Sequence, residues 1–259
     1  MNTPIRRFVP TFCVRFTLAL FLFIGAPRTS PANAPQPQPR YQRALVIGDS
    51  LTVGPFGDKL EEFLLQSLGE SNVYLYAVCG SSPEHWLEAE PEFRSRCGYR
   101  LKIPRKKTEL GRHENGHPPE PRATRKLEDL LPKIRPDAVI VQLGTNWFDR
   151  LAESPGEATR NRIDHILDQF QAVIRKKAPG ARLIWITPPD SSRFRNVQAT
   201  VTTAIREAGA RHRFWVINSS KMLSYTPGKT GGDGVHLASP AADQWFEKVR
   251  PYLHRCLPR

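Results

Sequence analysis

Ala44-Leu45-Val46-Ile47-Gly48-Asp49-Ser50-Leu51 is the stretch on which the fold turns. An unbroken aliphatic run of this kind, with no polar alternation, reads as a strand buried on both faces, the signature of a parallel sheet. The run stops at Gly48, and Asp49-Ser50 then presents one hydroxyl at the strand end. A serine there is by itself more often a helix cap or a turn residue. Its meaning therefore depends on what the rest of the chain brings to it.

Moving outward, the same strand type recurs. Residues 73–78 are β-branched and aromatic, 137–143 contain Ala138-Val139-Ile140-Val141, 182–187 contain Leu183-Ile184-Trp185-Ile186, and 214–217 form a short fifth strand. Segments with helical spacing lie between them: 58–68, a short one at 83–89, 124–131, the long amphipathic 157–177, 195–208, and a last one from Ser239 to about 253. Strand and helix alternate about five times. That pattern predicts an α/β domain over 43–259 with a mostly parallel, five-stranded sheet and helices on both faces.

The ends and the interruptions are distinct. Arg6 and Arg7 precede a short apolar run, 16–26, and Ala32-Asn33-Ala34 places small residues where a signal peptidase reads. Residues 1–34 are therefore expected to be a secretory signal peptide, an uncleaved anchor being the alternative. Residues 35–42 read as a Pro-rich linker. The expected localisation is secreted or periplasmic, with no membrane span left after cleavage. The full chain of 259 residues carries a formal charge of +13, and loss of four arginines with the leader leaves +9. Of that, +6 sits in 94–123, which has nine cations, three acids and no helical period. This segment reads as a basic surface insertion, suited to an anionic polymer. Its single aromatic, Tyr99, gives no stacking series, so nucleic acid is not an expected partner. Cys79, Cys97 and Cys256 remain after cleavage; in an oxidising compartment Cys79 and Cys97, which flank one short segment, are the expected disulfide.

In an open parallel sheet, ligands bind at the carboxyl ends of the strands. Four segments at such ends carry unusual residues: Gly48-Asp49-Ser50, Cys79-Gly80-Ser81, Gly144-Thr145-Asn146, and the late Asp233-Gly234-Val235-His236. Each alone is turn chemistry. Together they supply what acyl transfer needs: Ser50 as nucleophile, His236 as base, and Asp233 to orient and stabilise the imidazole. The Ser50 and Gly80 N–H groups and the Asn146 amide can serve as oxyanion donors. Glycine at 80 suits a backbone that must itself approach the substrate.

These four blocks, in this order and with these long gaps, resemble the SGNH (GDSL) hydrolases over about residues 43–253. The resemblance implies a flavodoxin-like α/β/α sandwich and metal-free serine ester hydrolysis with the roles just assigned. Two blocks depart from the family pattern: Val78-Cys79-Gly80 replaces the common Asn-x-Gly, and Trp147 follows Asn146 where an aspartate is usual. Trp147 is accordingly expected beside the pocket. Asp190, after Pro188-Pro189, either lines the cleft or caps the next helix. The remaining histidines show no paired ligand spacing, and no phosphate or dinucleotide loop is present, so neither metal nor cofactor is expected.

The function expected from these features is a secreted serine esterase that deacetylates a carbohydrate or cell-wall glycan. A lipase, a thioesterase or an O-acetyltransferase of the same family are alternatives. So is a polyanion-binding protein that uses 94–123.

Overall fold

The computed structural model describes residues 43–257. The expected signal peptide, 1–34, and linker, 35–42, lie outside them. Among the described residues no helix is long and apolar enough to cross a membrane.

The aliphatic run becomes β1 (Ala44–Gly48), with every residue buried. It is buried because it has neighbours on all sides. It pairs in parallel with β2 (Val73–Val78) on one edge and with β7 (Ala138–Gln142) on the other. Leu45 and Ile47 point to one layer of core and Ala44 and Val46 to the opposite one. Leu45, Val46 and Ile47 each contribute about 1.5–3 kcal/mol by leaving water.

The remaining elements follow in chain order. After β1 come α1 (Ser50–Val53) and α2 (Pro55–Leu68), and after β2 the short strands β3 (Arg94–Ser95), β4 (Tyr99–Lys102), β5 (Glu109–Gly111) and β6 (Arg122–Ala123). Then come α3 (Leu127–Ile134), α4 (Trp147–Glu153) and α5 (Glu157–Lys177) around β7, followed by β8 (Arg182–Ile186), α6 (Arg195–His212), β9 (Trp215–Ile217) and α7 (Ser239–Cys256). The expected helix at 83–89 is a single 3₁₀ turn, Pro83–Trp86. The main sheet has seven strands in the order β5-β4-β2-β1-β7-β8-β9, and β3 pairs with β6 in a separate ribbon. Helices α3 to α6 cover one face through a core that includes Phe170, Trp185 and Ile205. The opposite face is covered by α1, α2 and α7 through Phe56, Leu60 and Trp245. This is the α/β/α sandwich that the sequence leads one to expect, and its five parallel strands are the five read from sequence.

The insertion differs from its expectation. It is not only a surface excursion: β4 and β5 extend the sheet antiparallel beyond β2. The alternation Tyr99-Arg100-Leu101-Lys102 makes β4 amphipathic, but the buried side is the charged one. Arg100 and Lys102 are only 4% and 5% exposed. Helix α2 supplies the reason. Its Glu61 accepts from Arg100 Nη1 at 2.9 Å, and Asp58 accepts from Arg100 Nη2. Lys102 Nζ donates to the Lys106 carbonyl at 2.6 Å.

Buried charge of this kind is held only while it is paired. Replacement of Arg100 by leucine strands Glu61 without its cation, and the cost expected is about 3–5 kcal/mol. Urea unfolding of wild type and Arg100→Leu measures it; an unchanged midpoint would mean that Glu61 finds a substitute partner.

Candidate active site

Strand β1 turns directly into α1, and the turn is too tight for a side chain at its start. A Cβ on Gly48 would lie 2.4 Å from Thr52 Cβ. Thr52 in turn donates to Gln142 Oε1 on β7 at 2.8 Å. Asp49 caps the turn, its Oδ1 accepting from the Leu51 N–H at 3.0 Å. Ser50 is then the first residue of α1 and is half-buried at the sheet's carboxyl edge.

His236 arrives from the loop before α7. Its Nε2 lies 2.8 Å from Ser50 Oγ and its Nδ1 2.5 Å from Asp233 Oδ2. The other Asp233 oxygen accepts the N–H groups of Val235 and His236 at 2.9 and 2.8 Å. The carboxylate is thus a knot that shapes the turn as well as a partner of the ring. Its partial burial alone would raise its pKa. The ring hydrogen bond and the two N–H donors outweigh that and hold it at about 2.

The loop that carries His236 is held by residues with no distinguishing sequence signal. Tyr225, 1% exposed, donates its hydroxyl to the His236 carbonyl at 3.1 Å and accepts the Gly234 N–H at 3.0 Å. Asp190 fixes Tyr225: Oδ2 accepts the Tyr225 N–H at 2.7 Å, while Oδ1 takes Gln198 Nε2 at 3.4 Å. So Asp190 neither caps the following helix nor stands free in the cleft; it is a strut under the histidine loop. Ser191 Oγ adds a bond to the Gly234 carbonyl at 2.6 Å.

On the other side of Ser50 stand the loops after β2 and β7, the two strands that flank β1. Gly80 has φ +80°, a conformation that favours glycine. Among the described residues the N–H groups of Ser50 and Gly80 have no acceptor. Asn146 Nδ2 donates one hydrogen to the Ser81 carbonyl at 2.9 Å, which orients the amide and leaves its second hydrogen available. Cys79, just before Gly80, is disulfide-bonded to Cys97, with Cα atoms 5.6 Å apart. The bond ties this turn to the insertion.

Trp147 is the clear correction. It is fully buried, and its Nε1 donates to Glu84 Oε2 at 2.9 Å. It therefore braces the loop after β2 against α4 from below and offers no surface to a ligand. What lies beside Ser50 and His236 is a small hollow of about 40 Å³ between α2 and α7, walled in part by Pro55, Phe56, Leu237 and Trp245. Among the described residues no group of three or more His, Cys, Asp or Glu side chains could hold a metal ion.

The GDSL-like lipase/acylhydrolase family model matches residues 46–243, a span that includes all the residues just described from Gly48 to His236. The chain belongs to this family. It is accordingly an ester-hydrolysing enzyme of the GDSL type. Solved structures share the GDSL fold with it at low sequence identity. TesA matches at 16% identity and TM-score 0.53, covering 83% of this chain and 100% of its own. A carbohydrate acetylesterase family member from Sinorhizobium meliloti matches at 14% identity and TM-score 0.52, covering 84% and 100%. Axe2, an acetylxylan esterase from Geobacillus stearothermophilus, matches at 13% identity and TM-score 0.51, covering 82% and 94%. No curated protein sequence matches significantly.

The GDSL aspartate itself has a measurable consequence. Asp49 is completely buried, and burial pushes its carboxyl up to about 6, against the pull of the Leu51 N–H and His236. The folded state therefore holds this proton more tightly than the unfolded state, whose aspartate titrates near 3.8. Stability from this group is greatest below pH ~4 and is lost as pH rises towards ~6, by about 3 kcal/mol in all. Asp49→Asn keeps the cap acceptor and cannot ionise. Unfolding free energies at pH 4 and pH 7 should therefore fall in wild type relative to Asp49→Asn; parallel profiles would show that Asp49 is not protonated in the fold.

Proposed function

We propose that Ser50 is the nucleophile of an exported esterase that removes short acyl groups, acetyl above all, from a glycan. The observation that carries the catalytic reading is the continuous chain from Ser50 Oγ through the His236 ring to Asp233, with links of 2.8 and 2.5 Å. Ser50 Oγ attacks the ester carbonyl as its proton passes to His236 Nε2. Asp233 holds the opposite ring N–H and stabilises the imidazolium that forms. The carbonyl oxygen becomes an oxyanion facing the Ser50 and Gly80 N–H groups and the free hydrogen of the Asn146 amide. Collapse of the tetrahedral adduct breaks the ester C–O bond, and His236 returns the proton to the departing alcohol. A water then repeats the sequence on the acyl-serine and releases the acid.

The short acyl group is favoured by the hollow beside Ser50. At about 40 Å³ it is far smaller than the roughly 300–1,000 Å³ of sites that hold drug-sized ligands, which suits a short acyl group better than a long one. A glycan as the alcohol partner is favoured by the likeness to carbohydrate and acetylxylan esterases and by the basic insertion next to the site. Export is favoured by the leader-like N-terminus and by the Cys79–Cys97 disulfide, a bond that persists in oxidising compartments.

Ser50→Ala should retain the far-UV dichroism of wild type and lose at least ~10³-fold in kcat on p-nitrophenyl acetate. Full activity in that variant would remove Ser50 from the mechanism. Asn146→Ala should cost on the order of 10²-fold in kcat. In an ester series on wild type, acetate and propionate should be turned over and octanoate should not; efficient octanoate cleavage would reverse the assignment of acyl length.

A further inference from the structure

A second cavity lies apart from the hollow beside Ser50. It has a volume of about 510 Å³, within the range of small-molecule sites, and it exists because of the insertion. Strand β4 extends the sheet past β2, and the cavity is lined by Arg94, Arg122 and Ala123 of the β3–β6 ribbon and by Asp129, Leu130 and Lys133 of α3. Tyr76, Tyr99 and Leu101 form the floor, and Val78 marks the end nearest the catalytic loops, two residues before Gly80.

The chemistry of its walls is specific. Arg122 lies over the Tyr99 ring at 4.4 Å and Arg125 over the Tyr76 ring at 5.8 Å. A guanidinium laid on a ring is pre-oriented, so less rotamer freedom is lost when its fork meets an oxyanion. Glu109 occupies part of Arg122 at 2.9 Å. Among the described residues Arg125 and Lys133 have no carboxylate partner, although both line the cavity. Lys126, also in the wall, is not available: its ammonium is spent on the carbonyls of His85, Leu87, Glu90 and Pro91. Glu120 and Asp129 add acceptors to the same wall. Acceptors beside cations repel a multiply charged phosphate but take hydrogens from hydroxyl groups. A ligand that suits both is singly charged and polyhydroxylated.

We propose that this cavity is a binding subsite for a carboxylate-bearing sugar unit, its carboxylate on Arg122 and Arg125 and its hydroxyls on Glu120 and Asp129. The proposal rests on the glycan reading of the substrate and extends it from an acetylated glycan to an acidic one. A chain seated here is anchored beside the loop that carries Gly80, with its ester free to reach Ser50.

Binding is tested apart from turnover, on the full-length Ser50→Ala protein by calorimetry at about 0.15 M salt, with trigalacturonate, neutral xylotriose and inorganic phosphate as probes. Trigalacturonate should bind saturably, with xylotriose and phosphate at least tenfold weaker. Adding Arg125→Gln should weaken trigalacturonate about tenfold, the loss expected for one charge-assisted hydrogen bond. Arg125→Gln in the otherwise wild-type enzyme should leave p-nitrophenyl acetate turnover unchanged. Equal binding of trigalacturonate and xylotriose, preference for phosphate, no saturable binding, or indifference to Arg125→Gln each overturns the subsite. Loss of p-nitrophenyl acetate turnover in Arg125→Gln would also overturn it, by placing Arg125 in the support of the catalytic loops. Failure of the wild-type enzyme to deacetylate any glycan while trigalacturonate still binds would instead overturn the glycan substrate and leave the cavity's specificity standing.

Discussion

The arrangement depends on one constraint: β1 is hydrogen-bonded in parallel on both edges, and in register at its last residue. Gly48 is level with Ala77 on β2 and with Gln142 on β7. Parallel strands that end together deliver their following loops to one place. That is why Ser50, Gly80 and Asn146, far apart in sequence, issue from three adjacent strand ends. Gly48 makes the constraint tight, since Thr52 fills the space where a side chain would sit and binds Gln142 across the strand pair.

The histidine side is built differently. It comes from no strand of the sheet. The loop 225–237 is held by polar bonds to buried groups, with the Tyr225 hydroxyl bridging Gly234 and His236, and Asp190 holding Tyr225 from the end of β8. Such bonds keep the loop at a geometry of hydrogen-bond precision. Asp233 serves both purposes at once, because the two N–H groups that close its turn also keep its carboxyl ionised. The insertion stabilises the opposite wall. The disulfide joins Cys97 to the residue before Gly80, and Lys126 and Thr124 hold the His85 carbonyl in the loop that follows.

Much of this was legible in the chain. The aliphatic run at 44–47 has one comfortable home, a doubly buried parallel strand, and the four further strands repeat its composition. Glycine and asparagine recur at strand ends, where turn chemistry and acyl-transfer chemistry coincide, whereas the Asp-Gly-Val-His block, expected at such an end, lies in the long loop between β9 and α7. Tyr99-Arg100-Leu101-Lys102 does alternate with a strand's period, yet its charge places it on the surface in any local reading. Only the carboxylates of α2, 39 residues away for the Arg100–Glu61 pair, make the charged side the buried one. Trp147 follows Asn146 directly and so seemed a neighbour of the site, but α4 begins there and turns the indole inward to Glu84. Tyr225 left no trace in the local pattern, since one hydroxyl under a loop has no period.

The sequence by itself determined which backbone segments become strands, that the sheet is parallel at its centre, and which residue types stand at its carboxyl ends. Those properties follow from local burial pattern and turn chemistry, which a short window contains. The tertiary structure alone decided which face of β4 is inside, that Asp190 and Tyr225 support the histidine loop, that Trp147 is a brace, and that the insertion encloses a cavity. Each of these depends on a partner tens of residues away, and a side chain's environment is set by what the fold brings to it across that distance.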